Sequence, residues 1–101
     1  MIEQQPLKGI RVIELTRVLA GPFCTMNLAD LGAEVIKIEV PGRGDDSRGF
    51  APTIPGGDSG YFYSVNRGKK SVTLDLHTAE GAAMLLKLAT RDTRHDYLIK
   101  L

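Results

Sequence analysis

A single cysteine, Cys24, is all the thiol chemistry this chain has, so no internal disulfide can form and a bridge-stapled scaffold is excluded. Charge of one sign is also lacking. Thirteen Lys and Arg face twelve Asp and Glu for a net charge of +1 with the signs interleaved. No field is available to draw in a polyanion, so neither a nucleic-acid nor a membrane partner is expected. No apolar run approaches the length of a membrane span or of a signal-peptide core, which makes the cytoplasm the expected location, with an organelle matrix left open. Two histidines eighteen positions apart and one cysteine supply no metal-ligand set, so no metal is expected.

What is present suits one small folded domain. The 101 residues are 43% hydrophobic and 25% charged, ordinary values for a globular protein. Residues 10–15 form a short β-branched run bounded by Gly9 and by Ala20-Gly21-Pro22, which predicts a strand buried on both faces. Pro22 marks a helix start, because its missing N–H costs nothing in the first turn. Cys24, Leu28 and Leu31 then recur at helical spacing, and Gly32 stands as the left-handed terminator. Residues 34–40 return to a strand pattern. A strand, a helix and a strand with short joins predict a parallel pair with a right-handed crossover.

Residues 41–60 carry Gly42, Gly44, Gly49, Gly56, Gly57 and Gly60 together with Pro41, Pro52 and Pro55, and read as a long loop. A loop of that length in a compact domain either binds something or packs against another part of the protein. Val72, Leu74 and Leu76 alternate as a half-buried strand, and Thr78 is placed to cap a helix whose apolar stripe would be Ala82, Leu85, Leu86 and Ala89. The fold class expected is therefore α/β, a partial Rossmann-like parallel sheet with flanking helices. Residues 90–101 form an atypical tail in which positions 97–101 could make one more short strand.

Other patterns are weaker. Residues 68–71 superficially resemble a phosphate loop, but Tyr63 stands where the upstream glycine is needed and Lys70 displaces the hydroxyl residue. Arg67, Lys69 and Lys70 read either as attraction for a polyphosphate or as a solvated turn. Tyr61, Phe62 and Tyr63 either wall a pocket or fill a core at a strand entry. Cys24, with no cation or base near it in sequence, reads as a small core residue.

Three stretches carry a resemblance. Residues 9–39, GIRVIELTRVLAGPFCTMNLADLGAEVIKIE, closely resemble the opening of the family III CoA-transferases, as do residues 41–48, PGRGDDSR, and residues 66–76, NRGKKSVTLDL. Nearly everything up to Ala89 is covered. The resemblance implies that residues 1–101 are the N-terminal part of a CoA-transferase family III large domain. It implies coenzyme A as ligand, acyl-CoA and a carboxylic acid as substrates, and a homodimer or association with a full-length chain. In such proteins an Asp carboxylate attacks the thioester and passes CoA to a second acid. None of Asp30, Asp45, Asp46, Asp58 or Asp75 falls at that position, so no catalytic residue is assigned, and the chain is expected to be truncated and inactive alone. An acyl-CoA racemase and a non-catalytic CoA-binding or assembly fragment are the alternatives.

Three segments, 16–20, 40–44 and 74–77, have the placement of loops at the carboxyl ends of parallel strands, and the resemblance implies that each contacts CoA. Position by position, it implies CoA contacts at Val18, Leu19 and Ala20, at Val40, and at Leu74, Asp75, Leu76 and His77. Two of these depart from the family pattern, which commonly has Arg at the position of Val40 and Lys at that of His77. Both changes take a permanent cation away from a phosphate. Arg43, in the neighbouring turn, is a candidate replacement.

Overall fold

The computed structural model describes residues 5–90 and 96–100. Strands β1 (Arg11–Glu14), β2 (Glu34–Glu39), β3 (Lys69–Thr73) and β4 (Asp96–Ile99) pair in the order β3-β2-β1-β4, all parallel. Helices α1 (Ala20–Asp30), α2 (Gly60–Ser64) and α3 (Ala79–Thr90) lie in the connections. The α/β parallel sheet expected from the sequence is thus present, and the atypical tail contributes its edge strand through register pairs from Arg11 with Asp96 to Glu14 with Ile99. The domain limits proposed from the sequence extend over positions 1–4, 91–95 and 101, which lie outside the described residues.

Parallel strands are covered on both faces, and period-2 alternation assigns each residue to one of them. On the α1 side Val12, Ala33 and Val35 form a cluster closed by Leu28 and Ala29. On the α3 side Ile13, Ile36 and Ile38 pack with Leu15, Val72, Leu74, Leu85, Leu88 and Ala89. Thr78 caps α3 as expected, its Oγ1 accepting the Gly81 N–H at 3.0 Å. The expected stripe is corrected. Leu88 packs inward, while Ala82 and Leu86 face outward and Leu86 is 65% exposed.

Helix α1 is also rotated from expectation. It starts two residues before Pro22, and its buried residues are Gly21, Pro22, Thr25 and Met26. Cys24 is exposed rather than core, and Leu31 is largely exposed. The cause is Gly21, where a Cβ would come within 2.3 Å of the Thr16 side chain, so the helix seats its smallest residue against the sheet. Gly32 ends the helix with φ +108 as expected.

The connection from β2 to β3 is more ordered than a plain loop. Asp45 caps a 3-10 turn (Asp46–Gly49) by accepting the Ser47 N–H at 2.9 Å, and Ser59 caps α2 by accepting the Phe62 N–H at 2.9 Å. The aromatic run therefore lies on a short helix instead of a strand entry, with Phe62 buried and Tyr63 exposed. The third strand begins at Lys69, earlier than the Val72–Leu76 alternation suggested; Leu74 still donates its N–H to the Glu39 carbonyl at 3.0 Å, and a turn follows at Leu76 and His77.

Candidate functional site

At the carboxyl ends of β1, β2 and β3 a cleft of about 290 Å³ opens. This is the place where open parallel sheets hold ligands. Leu15, Ile38 and Leu74 give it an apolar floor, continuous with the α3-side cluster. Thr16 and Arg17 form one wall, Val40, Gly44 and Asp45 another, and Leu76 with His77 the third.

Of the residues singled out in the sequence, Val40, Leu74, Leu76 and His77 meet in this cleft. Val18, Leu19 and Ala20 lie on the adjoining β1–α1 connection and Asp75 on the turn after β3, but none of these four lines it. Asp75 instead ties its turn together, accepting the His77 N–H on Oδ1 at 3.0 Å and the Thr78 hydroxyl on its carbonyl at 2.8 Å. Arg43 lines a smaller recess on the other side of Val40.

Behind the cleft lies a buried ionic network. Lys37 Nζ sits 2.9 Å from Asp45 Oδ2 and donates to the Thr16 carbonyl at 3.1 Å, with Glu14 Oε2 3.6 Å away. Glu14 also pairs with Lys69 at 3.0 Å and accepts the Thr16 hydroxyl at 2.6 Å. Burial pushes the Lys69 ammonium below its ordinary pKa, against the attraction of Glu14. Lys69, read from the sequence as part of a basic cluster, is therefore an internal ion-pair partner, donating also to Pro22 O at 3.0 Å and Asn66 Oδ1 at 2.8 Å.

A second hub holds the β2–β3 connection. Arg48 forks onto Glu39 at 2.8 and 2.7 Å, reaches Asp58 at 2.5 Å, and stacks 3.9 Å from the centre of the Phe62 ring. For Glu39, burial favours the neutral acid, but hydrogen bonds from Arg48, Ser71 and the Asp45 N–H outweigh it and hold the carboxyl at about 2. Asp45 is likewise lowered, burial being overcome by Lys37 and by both Ser47 donors.

Thr16 and Arg17 fall within the 16–20 segment singled out in the sequence, and Asp45 was weighed there only as a nucleophile, whereas Glu14, Lys37 and Glu39 were not among the sequence candidates. A signal existed in the period-2 positions, since Glu14 follows Val12 and Lys37 follows Val35 on a single buried face.

The fold and cleft define an α/β protein of the open parallel-sheet class, with a cleft at the strand tips. The chain belongs to CoA-transferase family III, whose family model matches residues 7–91. It is 54% identical over 85 residues to succinyl-CoA:glutarate CoA-transferase of Mus musculus, covering 84% of this chain and 20% of that protein. To the succinate–glutarate CoA-transferase of Agrobacterium fabrum it is 49% identical, covering 82% of this chain and 22% of that protein. The crystal structure of a CAIB/BAIF family protein from Brucella suis superposes with a TM-score of 0.81 at 43% identity, over 88% of this chain and 24% of that chain. The chain thus spans about a fifth of the length of these curated relatives.

Proposed function

We propose that this chain supplies the CoA-binding start of an enzyme that moves coenzyme A from an acyl-CoA thioester to a carboxylic acid. The observation that carries the reading is the coincidence of the family match over residues 7–91 with a cleft that gathers Val40, Leu74, Leu76 and His77. Apolar floor residues suit the pantetheine arm or adenine. The names of the relatives, acting on succinyl-CoA with glutarate, support dicarboxylic acyl groups as the substrate class.

In this chemistry an enzyme carboxylate attacks the thioester carbonyl carbon and the C–S bond breaks, giving a mixed anhydride and CoA thiolate; the thiolate attacks the enzyme's own carbonyl and releases the first acid, and the second acid's carboxylate then displaces the thiolate from that enzyme thioester. The thiolate finally takes the acyl carbon of the new anhydride, forming the product thioester and returning the enzyme carboxylate. The acids of the cleft are unsuited to the first role. Glu39 is engaged by Arg48, and Asp45 by Lys37. The reacting carboxylate is assigned to neither, and the chain by itself is expected to show no turnover. Exposed Leu19, Phe23 and Leu86 favour association with a second copy or a longer chain, in the cytoplasm or an organelle matrix.

Calorimetric titration with CoA at low salt tests the reading. Binding weaker than about 1 μM is expected, since Val40 and His77 place no permanent cation at the rim. Val40→Arg and His77→Lys should each tighten it by about twofold to fivefold, the effect of one added surface charge near a phosphate. No heat with millimolar CoA for the parent and both variants would sink the proposal.

A further inference from the structure

Two backbone groups of the β1–α1 connection are gripped by one ion pair. Lys37 Nζ donates to the Thr16 carbonyl at 3.1 Å, while the Asp45 carboxylate accepts the Val18 N–H at 3.2 and 3.3 Å. The pair is closed at 2.9 Å and both side chains are almost wholly buried. Between the two gripped residues stands Arg17, an exposed cation on the wall of the cleft. Val18 itself has φ +73, a region that a β-branched residue enters only when its surroundings impose it. Lys37 and Asp45 thus hold the backbone on either side of Arg17, at a bend that Val18 would not adopt unaided.

Arg17 has capacity left for a ligand. Among the described residues it donates from Nη1 to Asp46 at 3.1 Å, which orients the guanidinium and leaves Nε and Nη2 to donate. The ammonium of Lys37, which also lines the cleft, is committed internally.

We propose that Arg17 is an anion-binding residue of this cleft and that Lys37 and Asp45 are its positioning residues, a two-point clamp on Thr16 and Val18. The proposal rests on the CoA-binding reading for the identity of the anion. A phosphate of CoA and a carboxylate of the acyl group share the chemistry that a guanidinium recognises. The phosphate is favoured because the neighbouring rim position, Val40, offers none of that charge.

The test uses the whole chain titrated with CoA, pantetheine, succinate and inorganic pyrophosphate, comparing the parent with Arg17→Met. A loss of about tenfold for CoA and pyrophosphate, with pantetheine unchanged, is expected. A loss confined to succinate would support the site and assign it to a carboxylate instead. Pyrophosphate binding that depends on Arg17, in a chain that ignores CoA, would support the anion site and overturn the CoA reading alone. Unchanged binding of every probe in Arg17→Met would overturn the inference.

The clamp is tested by the charge-balanced double variant Lys37→Met/Asp45→Ala, with and without Arg17→Met. Both losses should coincide, so that adding Arg17→Met to the double variant costs less than twofold more. Full additivity would refute positioning through Arg17. In case the double variant fails to fold, the parent's Val18 amide gives an independent reading. It should exchange with solvent at least about a hundredfold more slowly than in an unstructured peptide, and exchange at the unprotected rate would overturn the clamp.

Discussion

The two faces of the sheet solve burial differently. Toward α3 the inward positions remain aliphatic from Ile13 through Leu15 and from Ile36 through Ile38. Toward α1 they begin as Val12 and Val35 and then change to Glu14, Lys37 and Glu39 at the strand tips. The aliphatic face is held by area removed from water, which is non-directional and tolerant of small changes of shape. The ionic half-face costs desolvation for every charge and repays it only with all partners in place. What it contributes is direction, since it grips particular backbone atoms around the cleft.

The contrast can be broken most sharply at Lys37. Lys37→Met strands Asp45 and half of the Glu14 environment as buried negative charge, and a loss of about 3–5 kcal/mol is expected in urea unfolding. Replacing both members, Lys37→Met with Asp45→Leu, should cost less than the single change. A single change that proves cheaper than the double would show the network to be solvated, with no need of balance.

Acid is the next lever. Glu39 falls from 4.5 in the ordinary state to about 2 when folded. Its stabilisation is therefore complete above pH 4.5 and lost as pH falls through 2, an amount of about 3 kcal/mol. Asp45, also lowered, adds to the loss in the same direction. Thermal melts from pH 6 to pH 2 should drop steeply in that window for the parent and less steeply for Glu39→Gln. Parallel curves would locate the acid sensitivity elsewhere. The aliphatic face gives the smallest response. Ile36→Val should cost about 1 kcal/mol by equilibrium unfolding, with no pH dependence. A cost equal to that of Lys37→Met would erase the distinction between the faces.

Much of the fold was legible because aliphatic spacing reports burial directly. β1, α1 and β2 follow from runs of Val and Ile with Gly32 as terminator, and Thr78 announced α3 by its capping chemistry. The cleft was legible only in part. Val40, Leu74, Leu76 and His77 came from family resemblance, while the charged residues beneath them were passed over because Lys and Glu are by default solvated. Nothing local in the sequence says that Lys37 and Asp45 are partners, since the turn that joins them is set by the Glu39 and Arg48 hub. The register of α1 was misjudged for a related reason. Its inward face was selected by how closely Gly21 must approach Thr16, a tertiary contact that hydrophobic spacing does not encode.

That contact also limits how the gene can change. Any single-base substitution in a glycine codon that alters the amino acid adds a side chain, and at position 21 its first carbon would fall on Thr16, 2.3 Å away. Thr16 cannot step aside, because its hydroxyl bonds to buried Glu14 and its carbonyl to Lys37. Codon 21 is thus closed to one-step drift so long as the ionic half-face persists, and the route to a different helix approach runs through at least two simultaneous changes.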